Sequence, residues 1–244
     1  MKKNFAILIL AVMMVFAFSA TAFAATPKVF VGGQKMVFDV PPTVQNGTTL
    51  VPMRAIFETL GATVDYSNGL ITGTKGDTTI KLRINSKTAT KNGQAITLAV
   101  PAKTINGRTM VPLRFIAESL DKNVDYDGQY QTISIYTPQL ILNDKNLSIT
   151  YRGVSEDWLG MKINLLIENK SNRDLCVQVR DFSIDNYMTD TIFSCDIAAG
   201  KKAYDDISLL DYEKNMNEIQ FNFHVFSWED YDFYYDSDII TVGL

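Results

Sequence analysis

Histidine is almost missing from this chain: His224 is the only one in 244 residues. A copper centre needs several imidazole or thiolate ligands. A histidine-activated nucleophile would have to use this one ring. His224 alternates with Gln220 and Asn222, while Ile219, Phe221, Phe223 and Val225 occupy the other phase. The ring is therefore expected on the polar face of a strand. Cysteine is nearly as scarce. Cys176 and Cys195 alone cannot complete a tetrahedral zinc site, neither lies in a nucleophile motif, and no Gly-x-Ser-x-Gly elbow occurs. No catalytic residue, cofactor or metal is assigned.

An excess of positive charge is also lacking. The formal net charge is −4, which argues against nucleic acid as a target. The charge is unevenly spread: residues 25–137 hold 12 Lys+Arg against 8 Asp+Glu, and residues 138–244 hold 9 against 19.

The only long apolar run is Phe5 to Phe18, after Met1-Lys2-Lys3 and before Ala22-Phe23-Ala24. A basic start, a short apolar stretch and an A-x-A site make a secretory signal peptide. The run is shorter than the ~20 residues of a membrane span. Cleavage after Ala24 and a soluble exported product are expected, with no transmembrane segment left. No cysteine follows the run to carry a lipid anchor.

The first half of the remaining chain repeats at an offset of 60 residues. Gly47 to Tyr66 reads GTTLVPMRAIFETLGATVDY and Gly107 to Tyr126 reads GRTMVPLRFIAESLDKNVDY. From 29–68 against 89–128, 16 of 40 positions are identical. Such a period marks a duplicated supersecondary unit. Each copy, about 28–76 and 88–137, predicts a Gly-Gln turn between two short strands, an Asn-Gly hairpin turn, a helix opening at Pro52 or Pro112, and a closing pair of strands. The result is an α+β domain of two ββαββ-like units. Gly61 ends the first helix; Asp121 in its place predicts a looser cap on the second. Arg54/Glu58 and Arg114/Glu118 are helix neighbours, readable as anion-binding arginines or as surface ion pairs.

The pattern Leu-Val-Pro-Met-Arg-Ala-Ile-Phe-Glu-Thr-Leu-Gly-Ala-Thr-Val-Asp-Tyr, answered by Met-Val-Pro-Leu-Arg-Phe-Ile-Ala-Glu-Ser-Leu and Val-Asp-Tyr, resembles the copper amine oxidase N-terminal-like domain, or stalk domain, common in exported proteins of Gram-positive bacteria. The resemblance covers about 28–137. It implies an α+β fold and a non-catalytic accessory role. It does not imply copper chemistry, which in that family belongs to a separate catalytic domain with three copper-binding histidines.

Thr137-Pro138 closes this domain, and the short linker predicts limited freedom between it and the next. Residues 140–244 hold about seven short alternating strands, which predict an all-β immunoglobulin-like sandwich. The segment Leu166 to Leu175 and the later Ala198-Ala-Gly-Lys-Lys resemble exported immunoglobulin-like domains of the same bacteria. A hairpin turn near Asn186-Tyr187 would make Cys176 and Cys195 diagonal neighbours. One disulfide or two buried thiols both remain open at that spacing. The stretch Ser227 to Asp238 is acidic and aromatic. Trp228, Tyr231, Tyr234 and Tyr235 are the candidate ligand surface for a sugar or peptide. Glu229, Asp230, Asp232, Asp236 and Asp238 offer calcium-type oxygens but lack the spacing of a calcium loop; loop carboxylates in water are the plainer reading.

The sequence thus predicts a non-catalytic exported protein, at the cell surface or wall, that binds wall polymer or another exported protein. A secreted hydrolase using paired carboxylates of the second domain and a plain spacer are the alternatives.

Overall fold

The computed structural model describes residues 26–210, 212, 215–230 and 232–244. The expected leader at 1–24 and Tyr231 lie outside them.

The first part runs β1 (Lys28–Val31), β2 (Gln34–Lys35), β3 (Thr43–Gln45), β4 (Thr48–Pro52), α1 (Met53–Thr59), β5 (Thr63–Ser67), β6 (Leu70–Lys75), β7 (Thr78–Arg83), β8 (Thr88–Lys91), β9 (Gln94–Thr97), β10 (Lys103–Ile105), β11 (Arg108–Pro112), α2 (Leu113–Ser119), β12 (Asn123–Asp127) and β13 (Thr132–Tyr136). The repeat is visible here, since β8 starts 60 residues after β1 and α2 starts 60 after α1. Its copies are not self-contained units, however. The central sheet, β10-β11-β4-β3, takes a hairpin from each copy. A second sheet, β12-β13-β1-β2, joins the end of the second copy to the start of the first, with β1 parallel to β13 and Val29 opposite Ile133. The third, β5-β6-β7-β8-β9, joins the end of the first copy to the start of the second through β7. Residues 28–76 and 88–137 therefore share their strands instead of forming two separate ββαββ units.

The helices have only seven residues each, too short to persist without tertiary packing. Ile56 and Phe57 on α1, and Ile116 and Ala117 on α2, are fully buried in one core with Ile71, Ile80 and Leu82. Gly73 leaves room for the Phe57 ring, which a Cβ there would meet at 2.0 Å. Both helices end alike. Gly61 and Asp121 have φ of +74° and +60° and donate to Glu58 O and Glu118 O. Asp121 is thus not a looser cap. Aspartate tolerates the left-handed conformation, and its carboxylate also receives Lys91.

The second part runs β14 (Gln139–Asn143), β15 (Leu147–Glu156), β16 (Gly160–Asn169), β17 (Leu175–Ile184), β18 (Tyr187–Met188), β19 (Ser194–Ile197), β20 (Lys202–Leu210), β21 (Glu218–Phe226), β22 (Tyr234–Asp236) and β23 (Ile240–Gly243). All its pairings are antiparallel. One sheet has the order β14-β15-β16-β20; the other is β18-β17-β21-β22, with β19 also on β17 and β23 on β21. Alternate residues of both sheets, among them Ile163, Leu165, Phe221 and Phe223, fill one apolar core. This accounts for the period-two pattern of the sequence.

The two parts share a buried interface. Phe30 on β1 is buried in the second core, while its neighbour Val29 points into the first. On β13, Ile133 and Ile135 face the first core, yet Thr132, Ser134 and Tyr136 are buried as well. Their side is covered by β15. The strand β14 pairs only with Ser148 to Tyr151, and a register shift at Arg152-Gly153 follows. Val154 O and Glu156 O then accept the hydroxyls of Ser134 (2.6 Å) and Thr132 (2.9 Å). At the rim, Glu156 receives Lys28 at 2.5 Å and Lys35 at 2.7 Å.

Candidate binding face

The strands β19, β17, β21 and β22 lie side by side, and their register builds two rows on the face turned away from the core. One row is Asp196, Cys176, Phe226 and Tyr234; the next is Ser194, Gln178, His224 and Asp236. Just past the end of β21, Trp228 lies beside the first row. Its ring meets Phe226 edge to face at 4.7 Å, and its Nε1 donates to Asp196 Oδ1 at 3.1 Å. His224 Nδ1 lies 2.7 Å from Asp236 Oδ1, with the imidazole 5.4 Å from the Phe226 ring and 6.5 Å from Tyr234. Trp228 is 57% exposed and Tyr234 68%. The result is a shallow aromatic strip with its indole and imidazole held by carboxylates.

The sequence-derived candidates divide accordingly. Trp228 and Tyr234 fall on the strip. Tyr235 does not: it is opposite Val225, packs against the second core, and donates its hydroxyl to Asp144 Oδ2 at 2.8 Å. Consecutive strand residues face opposite sides, so the pair could never act together. Tyr231 lies outside the described residues. Phe226 and His224 also belong to the strip; alternation along β21 puts His224 on this face, and only the pairing with β22 brings it to Tyr234.

The acidic residues disperse. Asp230 binds Arg173 at 2.6 Å, whose guanidinium also stacks on Phe233 at 4.3 Å, and Asp236 holds His224. Among the described residues no three His, Cys, Asp or Glu side chains converge to hold a metal.

Both cysteines are free and buried. The turn lies at Asp185-Asn186, and Cys195 is opposite Val177, with Cys176 opposite Asp196. This is one residue away from the register that a turn at Asn186-Tyr187 would give. The shift matters because Cys195 then joins Val177 in the core, whereas Cys176 points to the strip, 3.4 Å from Ser194 Oγ. The thiols lie on opposite faces of the sheet. Burial pushes the Cys176 thiol up to about 11 and that of Cys195 up to about 12, with Asp196 and Asp205 adding to the respective shifts. Neither is a ready thiolate.

In the first part, Arg54 lies 3.6 Å from Glu58 and Arg114 3.2 Å from Glu118, all four more than half exposed. Arg114 also donates to Val124 O at 2.7 Å. These are helix-surface ion pairs.

With this geometry established, residues 30–135 match the family model of the copper amine oxidase N-terminal domain. In copper amine oxidases that domain is a non-catalytic stalk. The match runs from within β1 to within β13, takes in both helices and stops before β14. No curated protein matches the chain, and no solved structure matches it.

Proposed function

We propose that the protein is a non-catalytic, exported binding protein of the cell surface or wall. In this reading a leader at 1–24 is removed, a stalk domain built on the duplicated ββαββ pattern occupies 28–137, and an immunoglobulin-like sandwich at 140–244 carries the binding face. The stalk resemblance favours a Gram-positive source. The single observation that carries the proposal is the strip of Trp228, Phe226, Tyr234 and His224. Large exposed aromatics on a rigid sheet supply contact area with little loss of side-chain freedom, and exposed aromatic groupings mark interaction sites. A wall polymer is the favoured occupant, because flat aromatic rings stack on sugar rings, and another exported protein is the alternative.

A secreted hydrolase is the second reading. Its supporting feature is a cleft between the two parts lined by Asp125, Asp127, Asp205 and Asp206. Two of these carboxylates are already tied, Asp125 to Arg152 and Asp206 to Lys162, each at 2.8 Å, which fits a structural role better. A plain spacer is the third.

The test is co-sedimentation of the protein, lacking 1–24, with purified walls. Trp228→Ala and Tyr234→Ala each remove exposed rings, so they should reduce retention about tenfold without changing the melting temperature. Undiminished retention in the double variant would reject the strip as the binding face.

A further inference from the structure

The intertwining of the two copies creates a second kind of surface, and it occurs twice. One groove, of about 620 Å³, is lined by Met53, Arg54 and Tyr66 of the first copy and by the turn Gly107-Arg108-Thr109 of the second. A smaller one, about 220 Å³, is lined by Leu113, Arg114 and Tyr126 of the second copy and by Gly47-Thr48-Thr49 of the first. Each of these residues lies 60 positions from its counterpart. The grooves are the same site built from both copies in exchanged roles.

Their exposed groups have no evident structural purpose. Tyr66 and Tyr126 are 50% and 49% exposed. In the larger groove Arg54 pairs with Glu58, and Arg108 pairs with Asp39 at 2.5 Å. All four are more than half exposed, and such pairs contribute little to stability. Fold maintenance therefore does not explain them.

We propose that the larger groove binds a neutral oligosaccharide, with the smaller groove as a weaker second site for the same ligand. The charge is the deciding observation. Two arginines and two carboxylates in the larger groove sum to zero, which disfavours a polyanion. Beside these charges the groove is lined by Tyr66 and by Val37, Pro52 and Ala55. What it presents is a tyrosine ring flanked by planar guanidinium and carboxylate groups. Each ion pair is more than half exposed, so the N–H groups and oxygen lone pairs it leaves unused can bond sugar hydroxyls, and the ring stacks on the apolar face of a pyranose. Two copies of one site suit a ligand that itself repeats, since linkage raises the local concentration at the second site. The smaller groove has Thr48 in place of Arg108, and Ala99 at the position equivalent to Asp39, so it lacks one of the two charged pairs.

Chitotetraose and maltotetraose, two neutral linear tetrasaccharides, are the probes, titrated into the protein lacking 1–24 by calorimetry. Binding of at least one is expected. Tyr66→Ala should weaken it about tenfold, Arg108→Ala should weaken it several-fold, and Tyr126→Ala should do less. All three positions are exposed enough to spare the fold, which thermal melts check. Tyr187→Ala, at an exposed ring on β18 that belongs to neither groove nor strip, should leave this affinity unchanged, which shows that loss of an exposed tyrosine elsewhere is not enough. Failure of both sugars to bind would overturn the proposal. So would unchanged affinity in Tyr66→Ala, or preferential binding of polyglutamate that is lost in salt.

Discussion

Gly153 lies so close to Ser134 that a Cβ on it would fall 2.6 Å from the serine Oγ. Its φ is +85°, a conformation costly for any residue with a side chain. The glycine thus allows two sheets from different parts of the chain to touch. Gly153→Ala combines backbone strain with overpacking and should cost about 2–4 kcal/mol, measured by chemical denaturation. A stability equal to that of the parent would show that the two parts do not depend on this contact.

Glu156 makes the same interface sensitive to acid. Burial by itself would raise its carboxyl, but hydrogen bonds and charge from Lys28 and Lys35 outweigh that and hold it below its ordinary value of 4.5. A carboxylate with a lowered folded pKa binds fewer protons folded than unfolded, so stability falls as pH falls. The contribution is complete above about pH 4.5 and disappears as pH drops through the lowered value. Glu156→Gln should cost about 1 kcal/mol at neutral pH, as partly exposed pairs do, and should flatten the acid limb of the denaturation midpoint. Curves that stay parallel down to pH 3 would exclude Glu156 as a source of the acid sensitivity.

Much of this architecture follows from sequence pattern, and the exceptions have definite causes. Thr132-Ile-Ser-Ile-Tyr alternates polar and apolar, the mark of a strand with one wet face, yet all five residues are buried. The polar face is covered because β15 offers carbonyls that hydroxyls can satisfy, and no local signal in β13 announces a partner some 20 residues away. The 60-residue period fixed the elements within each copy but not their partners. Local pattern cannot say that β1 pairs with β13 and not within its own copy. At the strip, alternation placed His224 on the outer face, but Tyr234 and Tyr235 could be told apart only by the register of β22 against β21. The cysteine faces were hidden for a similar reason: a turn at Asp185-Asn186 alone would set Cys176 opposite Cys195, and a one-residue offset between the β17–β18 and β17–β19 pairings moves Cys195 opposite Val177 and so to the other face.

The cysteines give a direct chemical check on that register. Burial holds both thiols protonated, so neither presents the nucleophilic thiolate. In the folded protein at pH 8, a maleimide reagent should label neither Cys176 nor Cys195, and both should react after denaturation without reductant. Mass spectrometry reads the number of labels. A disulfide in the unreduced protein would mean that the strands pair in a different register.

The shared strands also predict how the chain responds to being cut. If each copy were a unit, residues 26–84 would fold alone. Here β1 and β2 complete the sheet that begins with β12 and β13, and α1 and α2 bury their apolar faces in one core. A fragment of 26–84 would leave Val29 without Ile133 and Ile135, and Phe57 and Ile56 without Leu113 and Ile116. Helices this short gain their stability from packing, so the fragment should be unfolded by circular dichroism and proton NMR. The fragment 26–137 retains the whole first core but uncovers Phe30, Thr132 and Ser134. It should fold with a lowered melting temperature and a tendency to associate, seen by calorimetry and light scattering. A folded 26–84 fragment would refute the shared-strand account, and a 26–137 fragment as stable as the parent would refute the contribution of the interface.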